Sequence, residues 1–341
     1  MTCGAEEGVG KPPALAGSRF TAGRSTAWWS RRTSKLGNQL LAQVPNPFAG
    51  LISSGPLSTS TIQYGQLLRP FPTYQNVVEA AAYIGSSSYN SLQLKGQKRF
   101  REGGTVLASY TFSKLLSNTE TSTDWLENSI FGSLGQIYQD FNNMAGEWSL
   151  GMFDVRQSMT LSYVYPLPVG KGQYLLGGVT GIADKFASGW NFDGILTFQE
   201  GPPLNVVATP NTSNSFGGGL RPNVVAGCNK ARPAGVLKIN EYFNTACFTI
   251  PAPFTFGNES RTDNTIRSPG VNNWDVALVK ETPITERIGL QFRAEAFNLY
   301  NRVQFGPPGQ DFASGGVSSF GVLSSQVNNP RLIQFGLRLT Y

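Results

Sequence analysis

The stretch that decides the fold is the last one, Arg331-Leu-Ile-Gln-Phe-Gly-Leu-Arg-Leu-Thr-Tyr341. Its even positions are polar or small except at Leu332, and its odd positions carry Ile333, Phe335, Leu337, Leu339 and Tyr341. A β-strand sends alternate side chains to opposite faces, so this pattern predicts a strand with one apolar face that ends in an aromatic ring. At ~3.3 Å per residue and a tilt of ~40°, the stretch would cover ~28 Å along a bilayer normal, about the thickness of the hydrocarbon core. The wall of a membrane β-barrel fits this pattern, and so does a terminal strand of a soluble β-sandwich.

The composition indicates a large β-protein. The 341 residues include 39 glycines, 22 phenylalanines and 12 tyrosines. Charged residues make up only 14%, below the ~25% of an average soluble protein. No apolar run approaches the ~18 residues that a membrane helix needs, so any crossing of a membrane must use strands.

The positive charge of the chain is unevenly placed. The net charge is +6, and residues 1–35 alone hold six basic and two acidic side chains. No basic stripe with interleaved aromatic residues lies outside that segment, and we therefore expect no nucleic-acid partner.

The chain contains no histidine. This excludes the Ser-His-Asp and Cys-His nucleophile systems and the usual zinc sites, so we expect no enzymatic activity, cofactor or metal. Gly170-Lys171-Gly172 is too short for a phosphate loop and predicts a tight turn. Cys228 and Cys247 lie in a segment rich in Gly, Pro and Asn. Their spacing fits a loop disulfide in an oxidising compartment better than a metal site.

The N-terminal residues differ from the rest. Residues 1–35 lack the basic start and apolar run of a secretory signal, and we expect a disordered or non-native arm there. The barrel portion is then expected to occupy residues 36–341, as a fragment of a longer protein. Within it, residues 36–75 are rich in Pro, Gly, Ser and Gln and predict extended loop.

Strand periodicity recurs along the remaining chain. It is weak at 76–84 and clear at 90–100, 105–114, 157–166, 188–199, 272–280, 288–297 and 331–341. The turn Arg101-Glu-Gly-Gly104 joins the first two clear segments into a hairpin. One helix is predicted between the strands, because Leu176, Val179, Ile182 and Phe186 fall at helical spacing.

The lengths of the connections favour a membrane barrel. Counted back from Tyr341, they run long, short, long, medium, long, short. Outer-membrane barrels have short periplasmic turns and long extracellular loops, whereas a soluble sandwich has no reason to keep this parity. The polar faces carry charged residues that we expect to face the lumen: Asp193, Asp275, Arg293 and Glu295. Arg293 and Glu295 are expected to form ion pairs across the barrel wall or with a plug. The sequence thus predicts an all-β fold, an up-and-down antiparallel transmembrane barrel portion of about eight strands.

Aromatic residues fall into two groups. Those on the strands are expected to form interfacial girdles or a lipid face: Tyr110, Phe112, Tyr163, Tyr165, Trp190, Phe198, Trp274 and Tyr341. Those in the long loops are better placed to recognise a solute, because loops on a rigid scaffold carry specificity: Trp125, Trp148, Phe216, Tyr242, Phe243 and Phe248.

An ordered series of segments resembles the C-terminal barrel of TonB-dependent outer-membrane receptors, in the subgroup with a carboxypeptidase-regulatory-like N-terminal domain. The series includes Ala108-Ser-Tyr-Thr-Phe-Ser-Lys114, Leu161-Ser-Tyr-Val-Tyr-Pro-Leu-Pro168, Leu290-Gln-Phe-Arg-Ala-Glu295, Asn298-Leu-Tyr-Asn301 and Gln334-Phe-Gly-Leu-Arg-Leu-Thr-Tyr341. The resemblance covers residues 36–341 and lies in the order of the segments, since no single motif is decisive.

The resemblance implies a receptor that takes up a large or scarce solute with energy supplied through TonB. It also implies outer-membrane lipid, a plug domain and the barrel-assembly machinery as partners. The assembly machinery is expected to read the last strand through Phe335, Leu337, Leu339 and Tyr341. Such receptors close with about 22 strands, so we expect this portion to form either an open, strongly curved sheet or a small closed barrel. The alternatives are an adhesive or structural surface β-protein without transport, and an enzyme on a β-sandwich, which the lack of histidine disfavours.

Overall fold

A computed structural model describes residues 35–69, 71–74, 85–100, 103–119, 138–140, 143–214, 219–313 and 319–341. The chain divides into two units, Met1–Gln75 and Asn76–Tyr341. The expected N-terminal arm, apart from Lys35, and the weak strand at 76–84 lie outside the described residues.

The first unit contains a small hairpin where extended loop was predicted. A 3-10 turn at Gly37–Leu41 precedes β1 (Gln43–Pro45), which pairs antiparallel with β2 (Thr61–Gln63). The helix Tyr64–Leu67 follows β2. The Asn46 side chain donates to the carbonyls of Leu57 and Thr59, both at 2.7 Å. Those two bonds fold the connection back on itself, and a loop prediction based on composition could not foresee them.

Seven long antiparallel strands form one sheet in the second unit. They are β3 (Ser87–Arg99), β4 (Thr105–Ser117), β6 (Gln157–Pro166), β7 (Trp190–Gln199), β11 (Val271–Pro283), β12 (Gly289–Phe297) and β14 (Leu332–Thr340). Their order is β14-β12-β11-β7-β6-β4-β3, so each pairs with the next long strand along the chain, and a short β5 (Ser149–Leu150) pairs with β4. Within the described residues, β3 and β14 are edges that do not pair with each other. The all-β, up-and-down antiparallel fold is confirmed, in the open form.

The strand register gives the sheet one mainly apolar and one mainly polar face. Directly opposed residues of neighbouring strands lie on the same face. One row runs through Phe335, Ala294, Leu278, Phe192 and Tyr165, and the next row along the strands runs through Gln334, Glu295, Ala277, Asp193 and Val164. The first row belongs to what we call the apolar face, and the second to the polar face.

The apolar face is not covered by another layer. The side chains of Phe335 and Leu337 are 73% and 71% exposed, and every residue of β3 and β14 is exposed. The strand aromatics that the sequence singled out lie on this face: Tyr110, Phe112, Tyr163, Tyr165, Trp190, Phe198 and Trp274. A soluble sandwich would bury such a face against a second sheet, and the described chain provides none.

The connections sort by length onto the two ends of the sheet. The short ones, at 100–104 and 284–288, share one end with the medium connection at 167–189. The long ones, at 118–156, 200–270 and 298–331, all leave from the other end. We call these two ends the short-turn end and the long-loop end.

The helix of the medium connection is shorter than its periodicity predicted. It spans Ile182–Ala187, and Leu176 and Val179 lie outside it. Leu176 has a left-handed φ of 57°, and glycines at 177, 178 and 181 interrupt the segment, which stops a helix from starting earlier. None of the helices among the described residues is long and apolar enough to cross a membrane.

Candidate functional site

The long loops fold into one structured assembly at the long-loop end, which we call the loop head. It comprises the described parts of residues 138–156, 200–270 and 298–331. Two short strand pairs hold it together: β8 (Val207–Thr209) with β13 (Asp311–Ala313) in parallel, and β9 (Asn223–Val224) with β10 (Phe248–Thr249) antiparallel. The first pair joins two loops that are far apart in the sequence, so the loops act as one unit.

The loop head has its own hydrophobic core. Its buried members are Leu204, Val206, Phe243, Cys247, Phe248, Ile266 and Phe320. The ring centroids of Phe243 lie 5.7 Å from Phe248 and 5.1 Å from Phe320, in edge-to-face arrangements that aromatic pairs prefer.

This core corrects the solute-recognition hypothesis for Phe248, which lies inside the core. Phe248 is 3% exposed and supports the loop head from within. Phe243 is 1% exposed, and it also contributes to the wall of a pocket beside Lys230. Trp148 is 41% exposed and stays available. Trp125 and Phe216 lie outside the described residues.

The disulfide candidates are joined in the core of the loop head. Cys228 and Cys247 form a disulfide with a Cα–Cα distance of 5.5 Å. The bond connects the segment after β9 to the 3-10 turn Thr245–Cys247 that precedes β10. It therefore cross-links the loop that carries most of the hydrophobic core.

We expect replacement of both Cys228 and Cys247 by alanine to destabilise the loop head by about 3 kcal/mol, because the bond closes a loop of about 20 residues. Protease susceptibility of the loop head across a urea titration measures this loss. Cys3→Ala is the matched control and should change nothing. A reductant should destabilise the wild type and leave the double variant unaffected; equal resistance of all three forms would contradict the expectation.

Buried ion pairs connect the loops to one another. Arg221 Nη1 lies 2.5 Å from Glu147 Oε2, and the two side chains are 6% and 1% exposed. Glu147 also accepts from the backbone N–H groups of Gln139 and Asp140 at 3.1 and 3.2 Å. The loop that contains residue 147 is thus fixed to the loop that contains residue 221.

Arg261 makes a second buried connection, through hydrogen bonds to backbone carbonyls. It is fully buried, and its guanidinium donates to the carbonyls of Glu147 at 2.9 Å and Ser117 at 2.6 Å. Burial lowers the pKa of Arg261 to about 10, so it remains charged at neutral pH. Because Ser117 ends β4, this arginine ties the loop head to the sheet of seven long strands, which we call the wall.

Lys230 is held by two carboxylates. Its Nζ lies 2.7 Å from Glu259 Oε2 and also donates to Asp263. Burial acts to lower the pKa of Lys230, but the hydrogen bonds to Asp263 and Glu259 outweigh it and raise the pKa above its ordinary value. The lysine is therefore a fixed positive charge in the loop head.

An open pocket of about 550 Å³ lies beside Lys230. Its polar lining comes from Asn229, Lys230, Arg232, Tyr242, Thr265 and Arg267. This volume is within the ~300–1,000 Å³ of small-molecule sites. Its wall combines cations with two aromatic rings, Tyr242 and Phe243, and both belong to the loop aromatics of the sequence hypothesis.

The predicted lumen-facing residues share the polar face. Arg293 donates to Glu295, with Nη2 2.8 Å from Oε1, and Gln334 also donates to Glu295. Asp275 accepts from Asn273 Nδ2 and from the backbone N–H of Asn298, both at 2.8 Å.

Asp193 and Asp275 lie closer together than the sequence could establish. Asp193 is opposite Ala277, and Asp275 is opposite Ile195, so the two carboxylates are diagonal neighbours on adjacent strands. Asp275 helps to end β12 by accepting from the backbone N–H of Asn298. Among the described residues, no group of three or more His, Cys, Asp or Glu side chains could hold a metal ion.

The apolar side chains at the odd positions of the last strand lie on the apolar face, as its alternation predicts. Phe335, Leu337 and Leu339 are opposite Ala294, Phe292 and Leu290 of β12. The rings of Phe335 and Phe292 stack with centroids 6.2 Å apart. Tyr341 follows the last paired residue and is fully exposed.

Sequence reasoning missed the charged residues that organise the loop head. Arg221, Arg261 and Arg267 are each buried or nearly so and contact residues about 70 to 140 positions away. The local sequence shows only isolated arginines in a loop rich in Pro, Gly and Asn. The one sequence feature that marks these residues is an arginine in a segment with few other charges. That feature does not reveal which distant residue the arginine contacts.

An open antiparallel wall with an uncovered apolar face, a charged polar face and long structured loops at one end defines the class of outer-membrane β-barrel proteins. Comparison with family models agrees: residues 26–334 match the family described as outer membrane beta barrel domain. The chain belongs to this family, and its location is the outer membrane.

The outer membrane transporter YddB from Escherichia coli is similar in structure, with 10% sequence identity and a TM-score of 0.33. The similarity covers 75% of this chain and 25% of that chain, so this chain spans about a quarter of the transporter's length. A search of curated proteins finds no match.

Proposed function

We propose that the chain is the C-terminal part of a TonB-dependent outer-membrane receptor whose full-length parent takes up a large or scarce solute. In this proposal the apolar face meets outer-membrane lipid and the polar face meets water or a plug domain. The TonB system supplies the energy, and the role is transport rather than catalysis.

The observation that carries the proposal is the open wall. All of β3 and β14 is exposed, and the two strands are not paired with each other. In hydrocarbon each unpaired backbone group costs several kcal/mol, so both edges need further strands. A large barrel with additional strands meets this need. The ordered motif series that resembles TonB-dependent receptors supports a barrel of that kind.

The polar face supports a transport function in preference to a purely structural role. It carries the Arg293–Glu295 ion pair and Asp193 in the middle of the strands. Charges at that depth fit a lumen that holds water or a plug domain. The loop head adds a pocket with cationic and aromatic lining at the end where a solute would arrive.

The reading frame upstream of codon 36 tests the proposal. We expect it to encode a plug domain and a TonB box, and we expect the purified parent to bind the C-terminal domain of TonB. Deleting the TonB box while leaving the barrel intact should abolish that binding. A parent with neither feature that still assembles in the outer membrane would instead favour an adhesive or structural surface protein.

A further inference from the structure

The medium connection at the short-turn end carries apolar side chains that the fold leaves uncovered. Within residues 167–189, Ile182 and Phe186 are 79% and 72% exposed, and they lie one helical turn apart. Tyr174 is 90% exposed, and Leu175 and Leu176 are at least half exposed. A turn that only joined two strands in water would not need several exposed apolar side chains.

The connection lies against the apolar face, as two contacts show. Trp190 and Lys280 are directly opposed on that face. Trp190 Nε1 donates to the carbonyl of Phe186 at 3.0 Å, and Lys280 Nζ donates to the carbonyl of Ser188. The helix Ile182–Ala187 therefore sits on the side of the wall that is proposed to meet lipid.

Lys280 explains why the wall needs such a cover. A lysine on a lipid-facing surface is costly unless its ammonium group is paired or shielded. Here Lys280 is only 8% exposed, and its Nζ lies 5.3 Å from the centroid of the Trp190 ring. Residues 167–189 shield the ammonium group of Lys280. The outward-facing side chains of this connection, rather than those of the strands, are then exposed at that position.

The connection itself has the composition of a membrane-interface segment. Its apolar and aromatic residues are accompanied by Lys171, Asp184 and Lys185, a net charge of +1. An exposed Tyr or Trp ring near lysines is typical of the headgroup level. Lys185 Nζ donates to the carbonyl of Pro283 and Asp184 lies near both lysines, so anionic lipid phosphates would complement only the small positive excess. The continuity of the segment with the apolar face therefore favours lipid over a soluble protein partner.

We propose that residues 167–189 form an interfacial anchor, which inserts Ile182 and Phe186 into the headgroup–acyl boundary of the leaflet at the short-turn end. Segments of this kind bury their apolar face about 5–10 Å into that boundary. The anchor fixes the depth of the wall in the membrane and keeps Lys280 out of hydrocarbon. This inference rests on the proposed lipid contact of the apolar face.

Nitroxide labels on single cysteines test the anchor in the parent receptor, whose further strands pair the two edges, reconstituted in vesicles of phosphatidylethanolamine with anionic phosphatidylglycerol. Thiols outside the disulfide, including Cys3 where it is present, are replaced by serine. Ile182→Cys and Phe186→Cys report on the anchor, Leu337→Cys on the wall, and Leu237→Cys, at a 64% exposed position in the loop head, on water. Collision rates with oxygen and with a water-soluble nickel chelate give the depth of each label.

We expect the ratio of the oxygen collision rate to the nickel collision rate at 182 and 186 to exceed the ratio at 237 by several-fold. It should lie below the ratio at 337. A ratio at 182 and 186 equal to that at 237, with 337 in lipid, would overturn the anchor alone. Low collision rates with both reagents would also overturn it, since protein would then cover the site. Water exposure at 337 as well would overturn the proposed lipid contact together with the anchor.

Discussion

Deletion of residues 335–341 from the parent receptor is expected to abolish insertion into the outer membrane. The deletion leaves only Leu332, Ile333 and Gln334 of β14 paired with β12. Most of β12 then presents unpaired N–H and C=O groups to hydrocarbon, each at a cost of several kcal/mol. The deletion also removes Phe335, Leu337, Leu339 and Tyr341, through which we expect the assembly machinery to recognise the chain. The amount of heat-modifiable barrel in the outer-membrane fraction measures the effect.

Arg338→Ala is the matched control for this deletion. Arg338 belongs to the same strand and lies on the polar face opposite Gln291. Its loss leaves the backbone pairing and the apolar residues in place, so the membrane level should stay normal. Normal membrane levels of the deletion variant would contradict the assigned role of the last strand.

Replacing Arg221 by methionine is expected to destabilise the loop head by about 3–5 kcal/mol, the usual cost of breaking a buried pair from one side. Glu147 is 1% exposed and would lose its closest partner while remaining in the interior. The two backbone N–H groups that it also accepts from cannot neutralise its charge. Protease susceptibility of the loop head across a urea titration gives the change.

Arg156→Met is the control, because it makes the same substitution in an exposed pair. The Arg156 side chain is 43% exposed and lies 3.9 Å from Glu200. Exposed pairs contribute about 0–1 kcal/mol, so this variant should resemble the wild type. Equal effects of the two substitutions would show that the Arg221–Glu147 pair does not hold the loops together.

The wall could be predicted from the sequence because its information is local. Side chains alternate with a period of two, so each strand reveals its two faces without knowledge of its partner. The strand at 157–166 has the predicted bounds, and the other clear strands differ by a few residues at their ends. The placement of Arg293 and Glu295 on the polar face followed from the same alternation.

The loop head could not be predicted because its contacts are not periodic. Its core joins Leu204 to Phe320, and its ion pairs join Glu147 to Arg221. Residues in such loops follow no repeat that marks them as buried. The sequence therefore predicts solute-contacting rings at Phe243 and Phe248, whereas the structure packs both in the core of the loop head.

The medium connection shows an intermediate case. The apolar spacing predicted a helix there, and one exists at Ile182–Ala187. Its start was misplaced because glycines compete with the periodicity of Leu176 and Val179. Its position over Lys280 depends on the tertiary fold and could not be derived from spacing.

The central claim is that lipid meets one face of this wall and water or protein the other. A cysteine scan along β12 in proteoliposomes, with a lipid-soluble and a membrane-impermeant thiol reagent, tests it most directly. Cysteines at 290, 292, 294 and 296 should react with the lipid-soluble reagent, and those at 291, 293 and 295 should not. A pattern without this alternation, or protection of 292 and 294 from both reagents, would contradict the claim.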